Sequence, residues 1–217
     1  MKKQKHRKPT GTKGPIKVTN RGHKTTSKFE QLQFPSTKEE VEAFVVKGFI
    51  NSARKMNLFQ DMVDYEQNKS DDLDFTISTQ TGKKYLELME IAPIESLRGS
   101  YDLSSSSYKP YELSEYIFKK MMNKSSRYLQ STSVGISLLT YITDWRFSLS
   151  DKTIAILQYW ALHNNHSFEY IYFYSPIMED SGVVYLIYPT PIEHWSNFDP
   201  ELYKDIVVHI AMPINHK

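Results

Sequence analysis

Two short runs of alternating hydrophobicity joined by a glycine-containing turn, residues 72–78 and 83–91, constrain the fold of this chain most. Side chains alternate faces along a strand, so Leu73, Phe75 and Ile77 share one face while Asp72, Asp74, Thr76 and Ser78 share the other. On the second run Leu86 and Leu88 face one way, and Tyr85, Glu87 and Met89 the opposite way. The linking Thr79-Gln80-Thr81-Gly82 admits two registers. A turn at Thr81-Gly82 pairs Phe75 with Leu88 and Ile77 with Leu86, apolar to apolar, and leaves Asp74 diagonal to Glu87. A turn centred on Gln80-Thr81 sets Asp74 directly opposite Glu87. In both, two carboxylates stand together on one side of a hairpin whose other side is core.

Adjacent strands lie about 4.8 Å apart, so two such carboxylates can reach a common ion. Like charges held together raise each other's pKa unless a cation or donor compensates. Magnesium takes oxygen ligands, keeps several waters, and is often held by one or two carboxylates plus a phosphate. A site of that kind activates water against a phosphodiester. The plainer reading is a hairpin with one solvated face, on which Asp and Glu are ordinary residues.

An Asp on one strand, a tight turn and Glu-x-Lys on the next resembles the core of the PD-(D/E)XK nuclease superfamily, the restriction-endonuclease-like fold. Here the second half of the motif reads Glu87-Leu88-Met89. The resemblance implies that Asp74 and Glu87 bind a divalent metal, Mg2+ or Mn2+, and that the backbone carbonyl of Leu88 points at the ion. It also implies an acidic contribution from the first helix, for which Glu42 is the preferred residue, with Asp72 as outer help. The superfamily's Lys orients or helps deprotonate the attacking water, and Met89 stands in its place, unable to polarise water. The superfamily sometimes moves this Lys, and some members have lost activity. Both a nuclease and a catalytically inactive nuclease-fold module, binding nucleic acid or protein, are therefore expectations of the resemblance.

The order of elements around the hairpin fits that superfamily's helix, three strands, helix, strand over roughly residues 36–175. Upstream, Ser36 with Glu39 or Thr37 with Glu40 forms a capping box, and Val41, Phe44, Val45, Phe49 and Ala53 recur near helical spacing to about Met56. Glu39 and Glu40 are cap residues on this reading, whereas Glu42 lies in the helix body. Pro110 suits a helix start, and Leu113, Tyr116, Ile117 and Met121 carry that helix to about Tyr128. Lys120, Lys124 and Arg127 form a row on it. A solvated basic face explains the row; the sharper alternative is phosphate contact by Lys124 and Arg127 and a displaced catalytic Lys at Lys120.

Residues 134–142 read as a buried strand, and Ser148 or Ser150 caps a helix running to about Asn164. Residues 168–174 and 183–188 form two strands around Glu179-Asp180-Ser181-Gly182, a hairpin turn signal. The aromatic stretch from Phe168 to Tyr174 suits a sheet strand, base stacking or a homodimer interface. Residues 206–211 read as a terminal strand. Together these predict an α/β or α+β fold, with a central mixed β-sheet flanked by helices in a restriction-endonuclease-like arrangement.

The 217-residue chain has a formal net charge of +2, but its charge is uneven. Ten of the 27 basic residues and none of the 25 acids fall in residues 1–28, which carry +10 against −8 for the rest. The expected organisation is a basic, disordered arm over 1–30 and one PD-(D/E)XK-like domain over 31–217. Lys2, Lys3, Lys5, Arg7 and Lys8 would draw the arm to DNA or RNA, without sequence preference and with steep salt dependence. Membrane attraction, targeting or solubility are the plainer uses of such an arm. No run approaches the length of a membrane helix, the basic start lacks an apolar core, and the absence of cysteine excludes disulfides. A cytoplasmic protein is the default expectation, and an α/β structural protein with a basic tail is the reading unrelated to any nuclease.

Overall fold

The structure is a computed structural model describing residues 32–69, 73–92, 107–128, 135–144 and 147–209, together with the backbone of strands at 16–21 and 24–29. In chain order its elements are β1 (Ile16–Arg21), β2 (Lys24–Phe29), α1 (Lys38–Lys55), β3 (Met62–Gln67), β4 (Phe75–Thr79), β5 (Gly82–Glu90) and β6 (Ser107–Tyr108). There follow α2 (Pro110–Ser125), β7 (Ile136–Tyr141), α3 (Asp151–His163), β8 (Tyr170–Met178), β9 (Ser181–Tyr188) and β10 (Val208–His209). The fold is mixed α/β. Six strands form one sheet in the order β3-β4-β5-β7-β8-β9.

The start of α1 follows from its sequence. Thr37 accepts from the Glu40 backbone while the Glu40 carboxylate accepts from the Thr37 N–H, completing the second of the two predicted capping boxes. The helix ends at Lys55, within a residue of the expected boundary. Pro110 opens α2 and Ser150 caps α3 through the Thr153 N–H.

The meander β3-β4-β5 is antiparallel, and β5, β7 and β8 run parallel, with α2 and α3 as the crossovers. Both crossover helices cover one face of the sheet, where Met89, Ile91, Leu113, Ile117, Met121, Leu138, Leu157 and Phe173 form a core. Helix α1 covers the other, where Val45, Phe49, Ile77, Leu86, Leu139 and Tyr172 pack. Parallel strands covered on both sides become apolar throughout, and every residue of β7 is buried.

Several expectations are corrected. The hairpin's far face is not solvated: α2 lies over it, and Met89 is only 6% exposed within the second core. Leu73 packs with that second core rather than with Phe75 and Ile77, because β4 and its strict alternation begin only at Phe75. Ile16–Arg21 and Lys24–Phe29, which fall in the expected unstructured arm, pair as the antiparallel strands β1 and β2, in keeping with their Ile, Val and Thr content. The expected terminal strand reduces, among the described residues, to Val208–His209 paired with β6 outside the main sheet. The aromatic stretch is strand β8, whose Ile171, Tyr172, Phe173 and Tyr174 are buried. Among the described residues no helix is long and apolar enough to cross a membrane.

Candidate functional site

The β4–β5 register takes the second of the two predicted forms. Phe75 pairs with Leu86 and Thr79 with Gly82, so the turn centres on Gln80-Thr81 and Asp74 falls opposite Glu87. Gly82, at φ 144°, occupies a backbone region that side chains rarely adopt. The two carboxylates thus lie at the mouth of the meander, where the chain enters β4.

Three other segments close around them. The first turns of α1 bring Lys38, Glu39 and Glu42; the end of β3 brings Gln67, Asn68 and Lys69; the end of α2 brings Lys124 and Arg127. Together they line an open cleft of about 690 Å³. Four acids face four bases there, so the lining carries no net charge. The arrangement is nonetheless polarised in depth. Glu42 and Glu87 are buried, whereas the side chain of Lys38 is 78% exposed. The two buried carboxylates lie deepest, and Lys38, Lys69 and Arg127 are exposed around them together with Glu39.

Asp74 is held by its neighbours. Its Oδ2 accepts from the Leu88 N–H at 2.6 Å, a charge-assisted bond across the strand pair. Asn68 ties β3 to the entry of β4: its backbone N–H donates to the Asp74 carbonyl at 2.9 Å and its Nδ2 to the Leu73 carbonyl at 2.9 Å. Its Oδ1 accepts from the Thr76 hydroxyl at 2.8 Å. With both amide groups used, Asn68 fixes where Asp74 starts.

Glu87 pairs with Lys124, whose Nζ donates to Oε1, and accepts from the Tyr128 hydroxyl. Burial pushes the Glu87 carboxyl above the usual carboxylate range, Lys124 opposes the rise, and the Asp74 charge adds to it. Glu42 is likewise raised, first by burial, with Lys38 opposing at 3.3 Å and Asp74 adding. Tyr128 is pushed up to about 12 by burial and then by the Glu87 charge. The Asp74 charge therefore acts on both Glu42 and Glu87, and the burial that raises both is a cost that a nearby cation offsets.

Of the residues singled out from sequence, Asp74, Glu87, Glu42, Lys124 and Arg127 meet at the cleft. Lys120 does not line it: its amine lies over the Tyr116 ring, 4.7 Å from the centroid, and Lys124, one turn later, is the lysine that reaches Glu87. Leu88 contributes its N–H to Asp74, while its side chain is buried in the first core. Asp72 and the arm residues Lys2, Lys3, Lys5, Arg7 and Lys8 lie outside the described residues. Sequence reasoning missed Lys38, Asn68 and Tyr128. Only Lys38 left a signal, its i, i+4 spacing from Glu42.

The donors here are carboxylates without His or Cys, a set suited to a hard divalent ion rather than to zinc. Among the described residues no group of three or more Asp, Glu or His is placed to hold a metal ion. Lys124 and Lys38 occupy Glu87 and Glu42. Asp74 has no ion-pair partner among the described residues, and an ion held with Glu87 as well, within the one or two carboxylates that magnesium commonly uses, shares Glu87 with Lys124. No family model, curated protein or solved structure matches the chain.

Proposed function

We propose that the cleft is a phosphodiester-hydrolysing site of PD-(D/E)XK type, acting on DNA or RNA with Mg2+ or Mn2+. One observation carries the reading: Asp74, one residue before β4, and Glu87 of β5 line one cleft together with Lys38, Lys69, Lys124 and Arg127. The order α1–β3–β4–β5–α2–β7 supports it, being the helix, three strands, helix, strand of that superfamily. Asp74 and Glu87 would hold the ion, with Glu42 beside them. When bound, the ion supplies a polarised water and neutralises developing charge on a phosphate.

The remaining chemistry belongs to the chain. Lys124 takes the position vacated at Met89: its ammonium, held on Glu87, can hydrogen-bond a water or a phosphate oxygen over the cleft floor. Lys38, Lys69 and Arg127 on the rim offset phosphate charge and orient the backbone of a strand. Asn68 keeps Asp74 in register, and Tyr128 donates to Glu87 beside Lys124.

A second reading is a binding module on this framework without hydrolysis. The ion pairing of Lys124 with Glu87 and of Lys38 with Glu42 favours it, because both acids are then already satisfied. Titration of Mn2+ by calorimetry separates the two. The nuclease reading expects saturable binding that Asp74→Asn weakens at least tenfold. Nucleic-acid binding without any heat from Mn2+ would leave only the module.

A further inference from the structure

We infer that a second cavity, on the α1 face of the sheet and remote from the cleft, binds a neutral, planar heteroaromatic ring of nucleobase type. This inference does not rest on the nuclease reading. The cavity has a volume of about 230 Å³ and opens beneath the loop that follows α1. The cleft lies at the first turn of the same helix, whose 18 residues span about 27 Å. Drug-sized ligands occupy about 300–1,000 Å³, so this cavity suits one or two fused rings.

Its walls are flat and aromatic. Tyr170 and Tyr172 stack with 12° between their planes, and Phe59, also in the lining, lies 5.6 Å from Tyr172. Ile77 contributes apolar floor. Two hydroxyls are left for a ligand. Tyr172 and Ser137 are each 3% exposed and line the cavity, and neither hydroxyl has a hydrogen-bond partner among the described residues. Neither is among the fully enclosed unsatisfied atoms, so both open into the cavity. Buried hydroxyls ordinarily find partners, and these two line the cavity without one among the described residues.

Charge selects a neutral guest. Among the described residues Lys84, the one cation in the lining, pairs with Glu169 at 3.4 Å, and Asp61 also lines the cavity, so no free cation there awaits a phosphate. Hydroxyls that both donate and accept, with the Asp61 carboxylate as a further acceptor, match a ring edge bearing both donors and acceptors. The backbone agrees. Phe59 sits at φ 57° and Asn57 at φ 61°. Asn tolerates this region, but a bulky aromatic there is an outlier, and such strain concentrates at ligand clamps. The Phe59 ring lies 5.6 Å from Tyr172 and 5.7 Å from Phe49.

The test is ligand-observed saturation-transfer NMR on the full chain with adenosine, guanosine, cytidine and uridine as probes. Saturable binding of at least one nucleoside is expected. It should weaken about three- to tenfold in Tyr172→Phe and again in Ser137→Ala, which remove only hydroxyls, and stay unchanged in Asp74→Asn. No transfer to any nucleoside at millimolar concentration overturns the proposal, as does binding unaltered in the double variant. A five-nucleotide strand, with and without its terminal base, identifies the source. Affinity that needs the base assigns the cavity to a strand end, and affinity confined to free nucleosides assigns it to a small molecule.

Discussion

Replacing Lys124 with methionine removes the cation from a carboxylate that the fold has already buried. Glu87 is 5% exposed, between the Tyr128 hydroxyl and the Asp74 charge, and Lys124 is its counter-ion. Breaking a fully buried pair costs about 3–5 kcal/mol. The Lys124 side chain keeps 21% of its exposure and Tyr128 still donates, so about 2–3 kcal/mol is expected at pH 8. For a chain of this size that lowers Tm by about 4–12 °C. The pH dependence has a definite sign. Burial holds the folded Glu87 carboxyl above its ordinary value of 4.5, and losing Lys124 raises it further. A raised acid favours the folded state fully below the ordinary value and loses that contribution as pH rises through the folded value. The gap between wild type and Lys124→Met must therefore narrow as pH falls from 8 toward 5. Thermal melts at both pH values, with Glu87→Gln and the double variant completing a cycle, measure it. The double variant should be more stable than Lys124→Met alone. A gap that is the same at both pH values, or absent at pH 8, would refute the argument.

Three further outcomes are expected. Asn68→Ala loses the bonds that hold β3 to the entry of β4 and should cost about 1–3 kcal/mol in urea unfolding, with weakened Mn2+ binding because Asp74 is no longer fixed. Leu139→Ala, in the first core with no exposed surface, should cost about 2–5 kcal/mol by the same measurement. Gly48→Ala drives a methyl group into the Tyr174 hydroxyl and should cost about 1–3 kcal/mol, part of which Tyr174→Phe restores.

The elements set by local chemistry were legible in the sequence. The Thr37–Glu40 capping box, the Pro110 start and the Ser150 cap act within one turn, and the structure carries all three. The hairpin register was narrowed to two forms, and tertiary packing chose between them. Apolar pairing favoured Phe75 with Leu88, but both faces of the sheet are covered, so pairing apolar residues on one face held no special advantage. That same covering accounts for Met89. It reads as a lost lysine in the motif and is a core residue under α2. The choice of Lys124 over Lys120 was beyond the sequence because the two are one turn apart in one row, and only the crossing of α2 over β5 decides which reaches Glu87. Strand β3 was missed altogether. It is an edge strand whose Val63 points to solvent at 66% exposure, so its hydrophobic pattern does not alternate as a half-buried strand should.

The most direct measurement is cleavage of labelled single- and double-stranded DNA and RNA with Mg2+ or Mn2+ present or withheld. Wild type is compared with Asp74→Asn, Glu87→Gln, Lys124→Met and Lys120→Met. Metal-dependent cleavage is expected, reduced at least a hundredfold in the first three variants and retained in Lys120→Met, since Lys120 rests on Tyr116 outside the cleft. Absence of cleavage by the folded wild type across the panel, or activity that survives Asp74→Asn and Glu87→Gln, would contradict it.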